Sequence, residues 1–116
     1  MKYILLLYSN EAQWGTMSPE AQKQGVAAYG AYTEALTAAG VRVASDRLRP
    51  TATATTVRIE NGETKVLDGP YAESKEQLGG FYMIDVPDLD TALSWAARCP
   101  TASHGTVEVR PVWEMY

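Results

Sequence analysis

The opening segment constrains this chain most. Lys2 to Ser9 reads as a β-strand with Ile4, Leu6 and Tyr8 on one face and Tyr3, Leu5 and Leu7 on the other. Side chains alternate across a strand, so a strand apolar on both faces has to be covered on both sides. Phe81 to Val86 has the same character. Any fold for this chain must cover its central strands above and below.

The other elements follow from local signals. Asn10 to Met17 is polar around Trp14 and Gly15 and reads as a loop. Ser18-Pro19-Glu20 opens a helix: Ser caps free amides, Pro suits the first helical position, and Glu suits the positive end of the dipole. Tyr29, Tyr32, Leu36 and Ala39 fall on one helical stripe, and Gly40 is placed to end the helix. Val41 to Leu48 reads as a strand closed by Pro50, and Thr51 to Thr56 has β character. Val57 to Glu60 and Glu63 to Leu67 flank Asn61-Gly62, a strong hairpin signal because both turn residues accept positive φ. After Asp68-Gly69-Pro70, Tyr71 to Leu78 reads as a short helical turn, and Gly79-Gly80 lead into the next strand. Asp88 caps a second helix with Leu89, Ala92, Leu93 and Ala96 as its buried stripe, and Pro100 stops it. Thr106 to Trp113 is the last strand.

With the hairpin set aside, the order is βαββαβ, an α+β ferredoxin-like sandwich with an inserted β-hairpin. Two helices cover one face of such a sheet. The other face needs a partner, and a second copy of the chain is the simplest, giving a homodimer joined sheet to sheet. A monomer covered by the hairpin and the Trp14 loop is the alternative.

Composition excludes several classes. A chain of 116 residues fits one domain, taken as residues 1–116, and needs neither disulfide nor metal to fold. The longest apolar run, Tyr3 to Tyr8, is too short to span a bilayer or to serve as a signal peptide. Ten basic against fourteen acidic residues give a net charge of −4, and the basic groups are scattered apart from Arg42, Arg47 and Arg49. That balance argues against nucleic acid as a partner. The single Cys99 cannot form an internal disulfide, which suits a reducing cytoplasm, and it reads as a packed thiol. No metal-ligand spacing, phosphate loop or Gly-x-Ser-x-Gly elbow is present, so neither metal nor cofactor is expected.

Four groups of residues can carry chemistry. Asp68, fixed by Gly69-Pro70 beside the Tyr71 hydroxyl, can act as a base or ligand acceptor; bonding to its own turn amides is the plainer reading. Glu73, Lys75 and Glu76 place three charges together, as a ligand site or as a solvated turn. Glu108 and Arg110 share a strand face with Thr106, where Arg110 can pair with Glu73 or Glu76, hold a substrate carboxylate, or simply face water from an edge strand. His104, between Ser103 and Gly105, is the one imidazole available for proton transfer, though such a loop position is commonly solvent-exposed.

The block from Asp68-Gly69-Pro70-Tyr71 through Glu73-Ser74-Lys75-Glu76-Gln77-Leu78-Gly79-Gly80-Phe81-Tyr82 resembles the signature of the DGPF-type branch of the YCII-related proteins, with Tyr71 where that branch has Phe. The ending Val107-Glu108-Val109-Arg110-Pro111-Val112 and the opening Met1-Lys2-Tyr3-Ile4-Leu5-Leu6 are also similar. The resemblance implies a dimeric α+β barrel with a pocket in each subunit near the dimer seam. It also implies a superfamily of small-molecule lyases and isomerases, and a link to extracytoplasmic-function sigma factors. YCII-related proteins are associated with a His and Asp pair. This chain has no histidine in its first long helix, and Asp46 stands where the acidic partner is expected. The resulting expectation is a small-molecule protein, catalytic through Asp68, Asp46 and His104, with Tyr71, Glu73, Lys75, Glu76 and Arg110 binding ligand. A regulatory module partnering a sigma factor is the second expectation, and a stable dimer without a ligand the third.

Overall fold

The computed structural model describes residues 1–114. The chain runs β1 (Lys2–Ser9), α1 (Glu11–Thr16), α2 (Pro19–Ala38), β2 (Arg42–Arg47), β3 (Thr55–Glu60), β4 (Glu63–Asp68), β5 (Gln77–Asp85), α3 (Leu89–Arg98) and β6 (Thr106–Pro111). Strands β2, β5, β1 and β6 form an antiparallel sheet in that order, the arrangement of a βαββαβ sandwich. Strands β3 and β4 form a separate two-stranded sheet.

The two-faced β1 sits in the interior of the sheet, as its sequence demands. Tyr3, Leu5 and Leu7 are buried with Tyr82, Ile84, Tyr32, Leu36, Ala92 and Ala96 in one core under the helices. Burying a Leu or Ile of this kind stabilises the fold by about 1.5–3 kcal/mol each. The other face carries Ile4 and Leu6, paired across the ladder with Met83 and Phe81, and no helix among the described residues covers it. These four side chains are only half-buried.

Several local expectations hold. Ser18 Oγ accepts from the Ala21 amide at 3.1 Å, and Asp88 Oδ1 accepts from the Thr91 amide at 2.8 Å. Gly40 has φ +73°, and Asn61 and Gly62 turn the hairpin with φ of 51° and 78°.

Others are corrected. Asn10 to Met17 is not a loop, because Asn10 caps a short helix, its side chain accepting from the Ala12 amide at 2.9 Å. Trp14 of that helix lies against Gly25, where a Cβ would sit 2.9 Å from the ring, and beneath the Arg47 guanidinium at 5.1 Å. Tyr71 to Glu76 forms no helix; β5 starts at Gln77, so Glu73 and Glu76 stand at no helix N-terminus. Gly79 and Gly80 lie within β5, Gly80 so close to β2 that a Cβ would come within 2.8 Å of the Asp46 carbonyl. In α3 only Ala92 and Ala96 are fully buried, while Leu89 and Leu93 flank the contact half-exposed. Small residues let this helix sit close on the sheet. Strand β6 ends at Pro111, and Trp113 beyond it is exposed.

A set of hydroxyls ties α2 to the rest of the core. Tyr29 Oη and Thr101 Oγ1 lie 2.5 Å apart, Tyr82 Oη and Thr33 Oγ1 lie 2.8 Å apart, and Tyr32 Oη donates to the Trp95 carbonyl at 2.7 Å. Tyr32 and Tyr82 meet edge to face at 5.1 Å. Burial pushes the phenols of Tyr29, Tyr32 and Tyr82 above the ordinary tyrosine range, and burial likewise pushes the Cys99 thiol up.

A phenol whose folded pKa is raised favours folding fully below the unfolded pKa, and that contribution is lost as pH rises through the folded pKa. We expect the urea midpoint of unfolding to fall as pH rises above about 10, the unfolded tyrosine value. Phenolate absorbance of the folded chain should report some tyrosines ionising late. Midpoints that stay level from neutral pH to pH 11 would contradict this assignment.

Candidate functional site

Strand order determines which side chains meet. Because β6 lies beside β1, Tyr8 pairs with Thr106 and Leu6 with Glu108, so these four residues share the uncovered face. A β-bulge follows Leu7, and Tyr8 pairs with Leu78 on its other side, leaving Gly79 as the extra residue. The segment before β5 then crosses this end of the sheet. Together they form an open cleft of about 680 Å³ lined by Tyr8, Lys75, Glu76, Thr106 and Glu108, with Ser74 and Val107 completing its wall.

Hydrogen bonds hold this segment without a helix. Thr106 Oγ1 donates to Glu76 Oε1 at 2.8 Å. Ser74 Oγ donates to the Glu76 carbonyl, and Gln77 Nε2 donates to the Ser74 carbonyl at 2.6 Å. Gln77 Oε1 accepts from the Glu11 amide at 3.0 Å, which links the cleft wall to α1. Glu76 is half-buried, whereas Glu73 and Lys75 are exposed. The arrangement presents one oriented carboxylate, a second carboxylate on Glu108, an exposed cation on Lys75 and the Tyr8 ring. That set can bind a small polar molecule and move a proton.

The expected site residues divide. Lys75 and Glu76 line the cleft, and Glu108, named beside Arg110, joins them. Arg110 does not reach Glu73 or Glu76; its Nε lies 3.7 Å from Glu108 Oε2, one side-chain position along the same strand face. Asp46 is exposed on the far edge of the sheet, opposite Phe81. With β2 and β6 at opposite edges, Asp46 and the β6 side of the sheet are separated by roughly 14 Å of strand spacing. His104 is exposed just before β6, two residues from Thr106, and does not line the cleft. Asp68 ends β4 opposite Thr55, exposed, and the Gly69 amide of its turn donates to the Ala54 carbonyl rather than to its carboxylate. Tyr71 is 81% exposed. Asp46, Asp68 and His104 do not line the cleft. Among the described residues no group of three or more His, Cys, Asp or Glu is placed to hold a metal ion, and no helix is long and apolar enough to cross a membrane.

Tyr8, Ser74 and Thr106 were not singled out from the sequence. Thr106 was readable as a face neighbour of Glu108. Its meeting with Tyr8 depends on β6 lying beside β1, which the ferredoxin-like strand order supplies and residue spacing does not.

A match to the YCII-related domain spans residues 1–116, and the chain belongs to that family. An uncharacterized protein of Rhizobium meliloti (strain 1021) is 41% identical over 114 residues, covering 97% of this chain and 92% of that protein. Among solved structures, 5-chloro-2-hydroxyhydroquinone dehydrochlorinase (TftG) of Burkholderia phenoliruptrix AC1100, in complex with 2,5-dihydroxybenzoquinone, aligns with a TM-score of 0.56. The alignment covers 97% of this chain and 94% of that one at 15% identity, a likeness of fold.

The cleft rim depends on one close approach. A Cβ on Gly105 would land on the Tyr8 carbonyl oxygen and within 3.1 Å of the Ser9 side chain. Gly105→Ala is expected to destabilise the chain by at least about 1–3 kcal/mol, the usual range for overpacking. In Gly30→Ala, at an exposed helical site with nothing within 4 Å of the new methyl, stability should rise by about 0.5–1 kcal/mol. Urea unfolding of the two variants checks both signs.

Proposed function

We propose that this chain, a DGPF-type member of its family, is a cytoplasmic homodimer that binds a small polar molecule in the Tyr8–Glu76–Glu108 cleft and transfers a proton on it. The observation that carries this reading is the convergence of Tyr8, Lys75, Glu76, Thr106 and Glu108 at one end of the uncovered sheet face. The branch assignment rests on the Asp68-to-Tyr82 block, and the compartment on the single, buried, unpaired Cys99.

The dimer follows from the same face. Ile4, Leu6, Phe81 and Met83 form an apolar strip across β1 and β5 with no layer over it. A second copy laid sheet to sheet buries that strip and closes a barrel. It also roofs the cleft, because Tyr8, Thr106 and Glu108 belong to the same face. Roofing excludes water and strengthens every charge interaction beneath it.

The chemistry assigns roles. Thr106 donates to Glu76 Oε1, which leaves Oε2 to accept a proton from a bound molecule. Lys75 attracts an anionic oxygen, and Arg110 beside Glu108 anchors a carboxylate from the strand edge. Proton removal and return at these positions is isomerisation or elimination without a cofactor. A fold neighbour that acts on a small hydroxylated ring is in keeping with a substrate of that size.

Thermal unfolding with added compounds tests this. The probes are 2,5-dihydroxybenzoquinone and a panel of small carboxylated and hydroxylated metabolites. A ligand at a hundred times its dissociation constant adds about 2.7 kcal/mol to the native state. We expect at least one compound to stabilise the wild type and to lose that effect in Lys75→Ala and in Glu76→Gln. Hits that stabilise both variants as much as the wild type would remove the cleft from the function.

A further inference from the structure

The β3–β4 hairpin stands apart from the sandwich as an arm. Its register places Val57 opposite Val66 and Ile59 opposite Thr64, on one face with Thr55 and Asp68. Val57, Ile59 and Val66 are 62%, 74% and 60% exposed. The other face carries Arg58, Glu60, Glu63 and Lys65, with Leu67 near the root. Arg58 pairs with Glu60 at 3.7 Å and Lys65 with Glu63 at 2.9 Å. One face is thus finished for water and the other is not. An isolated two-stranded hairpin is at best marginally stable, so the arm needs a surface to lie against.

Its root is held firmly. Glu11 accepts from the Thr51 amide at 2.8 Å with one carboxylate oxygen and from the Thr51 hydroxyl at 2.9 Å with the other. The Gly69 amide donates to the Ala54 carbonyl at 2.7 Å, and the Leu48 amide to the Gly79 carbonyl at 2.8 Å. An apolar face on a fixed root is preorganised for contact.

The arm extends the molecule sideways. The radius of gyration is 16.2 Å, against about 13 Å for a compact chain of this length. The Cα atoms fit a slab of 47 × 45 × 19 Å, as thin as one sheet and one helix layer. The arm therefore widens the slab and leaves its own uncovered sheet face bare.

We propose that the arm is a clasp for a second copy of this chain, and that Val57, Ile59 and Val66 are buried against that copy when the uncovered sheet faces meet. This deepens the dimer reading and rests on it. Area favours it. Strand spacing and rise give the uncovered face a plane of roughly 400 Å², while obligate homodimers bury about 2,000–5,000 Å² in total. The arm adds roughly half as much plane again along the same slab. Charge favours it too. The chain carries a net charge of −4, but the arm's charged face balances two cations against two anions. A basic partner would find no acidic patch there, and a second copy meets no repulsion.

Sedimentation equilibrium of the full chain decides. The variants are the arm pair Ile59→Asp with Val66→Asp, both at exposed sites that leave the sandwich core untouched, and Leu6→Asp on the uncovered face, each checked for folding by circular dichroism. We expect the wild type to dimerise and the arm pair to raise the dimer dissociation constant at least tenfold. Amide exchange in β3 and β4 of the wild type should slow as concentration passes that constant, a readout that needs no variant. An arm pair that dimerises like the wild type while Leu6→Asp dissociates overturns the clasp and leaves the sheet-to-sheet dimer standing. Arm amides that exchange freely at dimer concentrations overturn it as well, and assign the apolar face to a different protein. A wild type monomeric at every concentration overturns the clasp and the dimer together.

Discussion

Everything in this molecule depends on a central strand that wants cover on both sides. Strand β1 presents Tyr3, Leu5 and Leu7 to the helices and Ile4, Leu6 and Tyr8 to the opposite face. The helix layer satisfies the first set completely, to the point that Leu5, Leu36 and Ile84 have no accessible surface. Among the described residues, nothing in one copy covers the second. Apolar area left in water forgoes about 25 cal/mol for each Å². The uncovered face therefore links folding, assembly and site: the residues that ask for a partner share a surface with those that line the cleft.

The cleft illustrates how little local geometry a site requires. Four of its lining residues come from two adjacent strands of a regular ladder, and the other three from a segment with no secondary structure of its own. Its order comes from Thr106, Ser74 and Gln77, each spending a short polar side chain on a carboxylate or a nearby backbone group. Glu76 is oriented by a neighbour on β6 rather than by a helix dipole. The bulge after Leu7 sets the phase of this end of the sheet, since without it Tyr8 would face Gly79 instead of Leu78.

Much of the fold was legible in the sequence, for reasons that are local or periodic. Capping at Ser18 and Asp88, the positive φ at Gly40 and the Asn61-Gly62 turn are short-range preferences, and the structure realises each. The six-residue helix after Asn10 was missed because it is shorter than two helical turns and carries no apolar period; only Asn10 itself, as a cap, gave it away. The helical turn expected at Tyr71 to Leu78 is absent because Glu76 bonds to Thr106 on β6 and Gln77 to Glu11 on α1, and these bonds outweigh so short a helix. The site was half legible. Lys75 and Glu76 stood out as charges placed together, and Glu108 as a charge sharing a strand face with Arg110. Tyr8 did not, because which strand lies beside which is a property of the whole topology. Asp46 and His104 were named from resemblance and from residue type, and neither carries information about distance.

The two ties at the base of the arm also bear on how such a chain can change over time. Leu48 meets Gly79, and Ala54 meets Gly69, so the chain leaves the sandwich and returns to it at nearly one place. Closing a gap between neighbouring points costs little, and the cost grows only slowly with the length enclosed. Segments inserted or removed beyond the Ala54–Gly69 tie leave the sheet register and the cleft untouched. The arm is in that sense an exchangeable part: a lineage can redraw its exposed face while the sheet and the cleft at the other end of the joint stay the same.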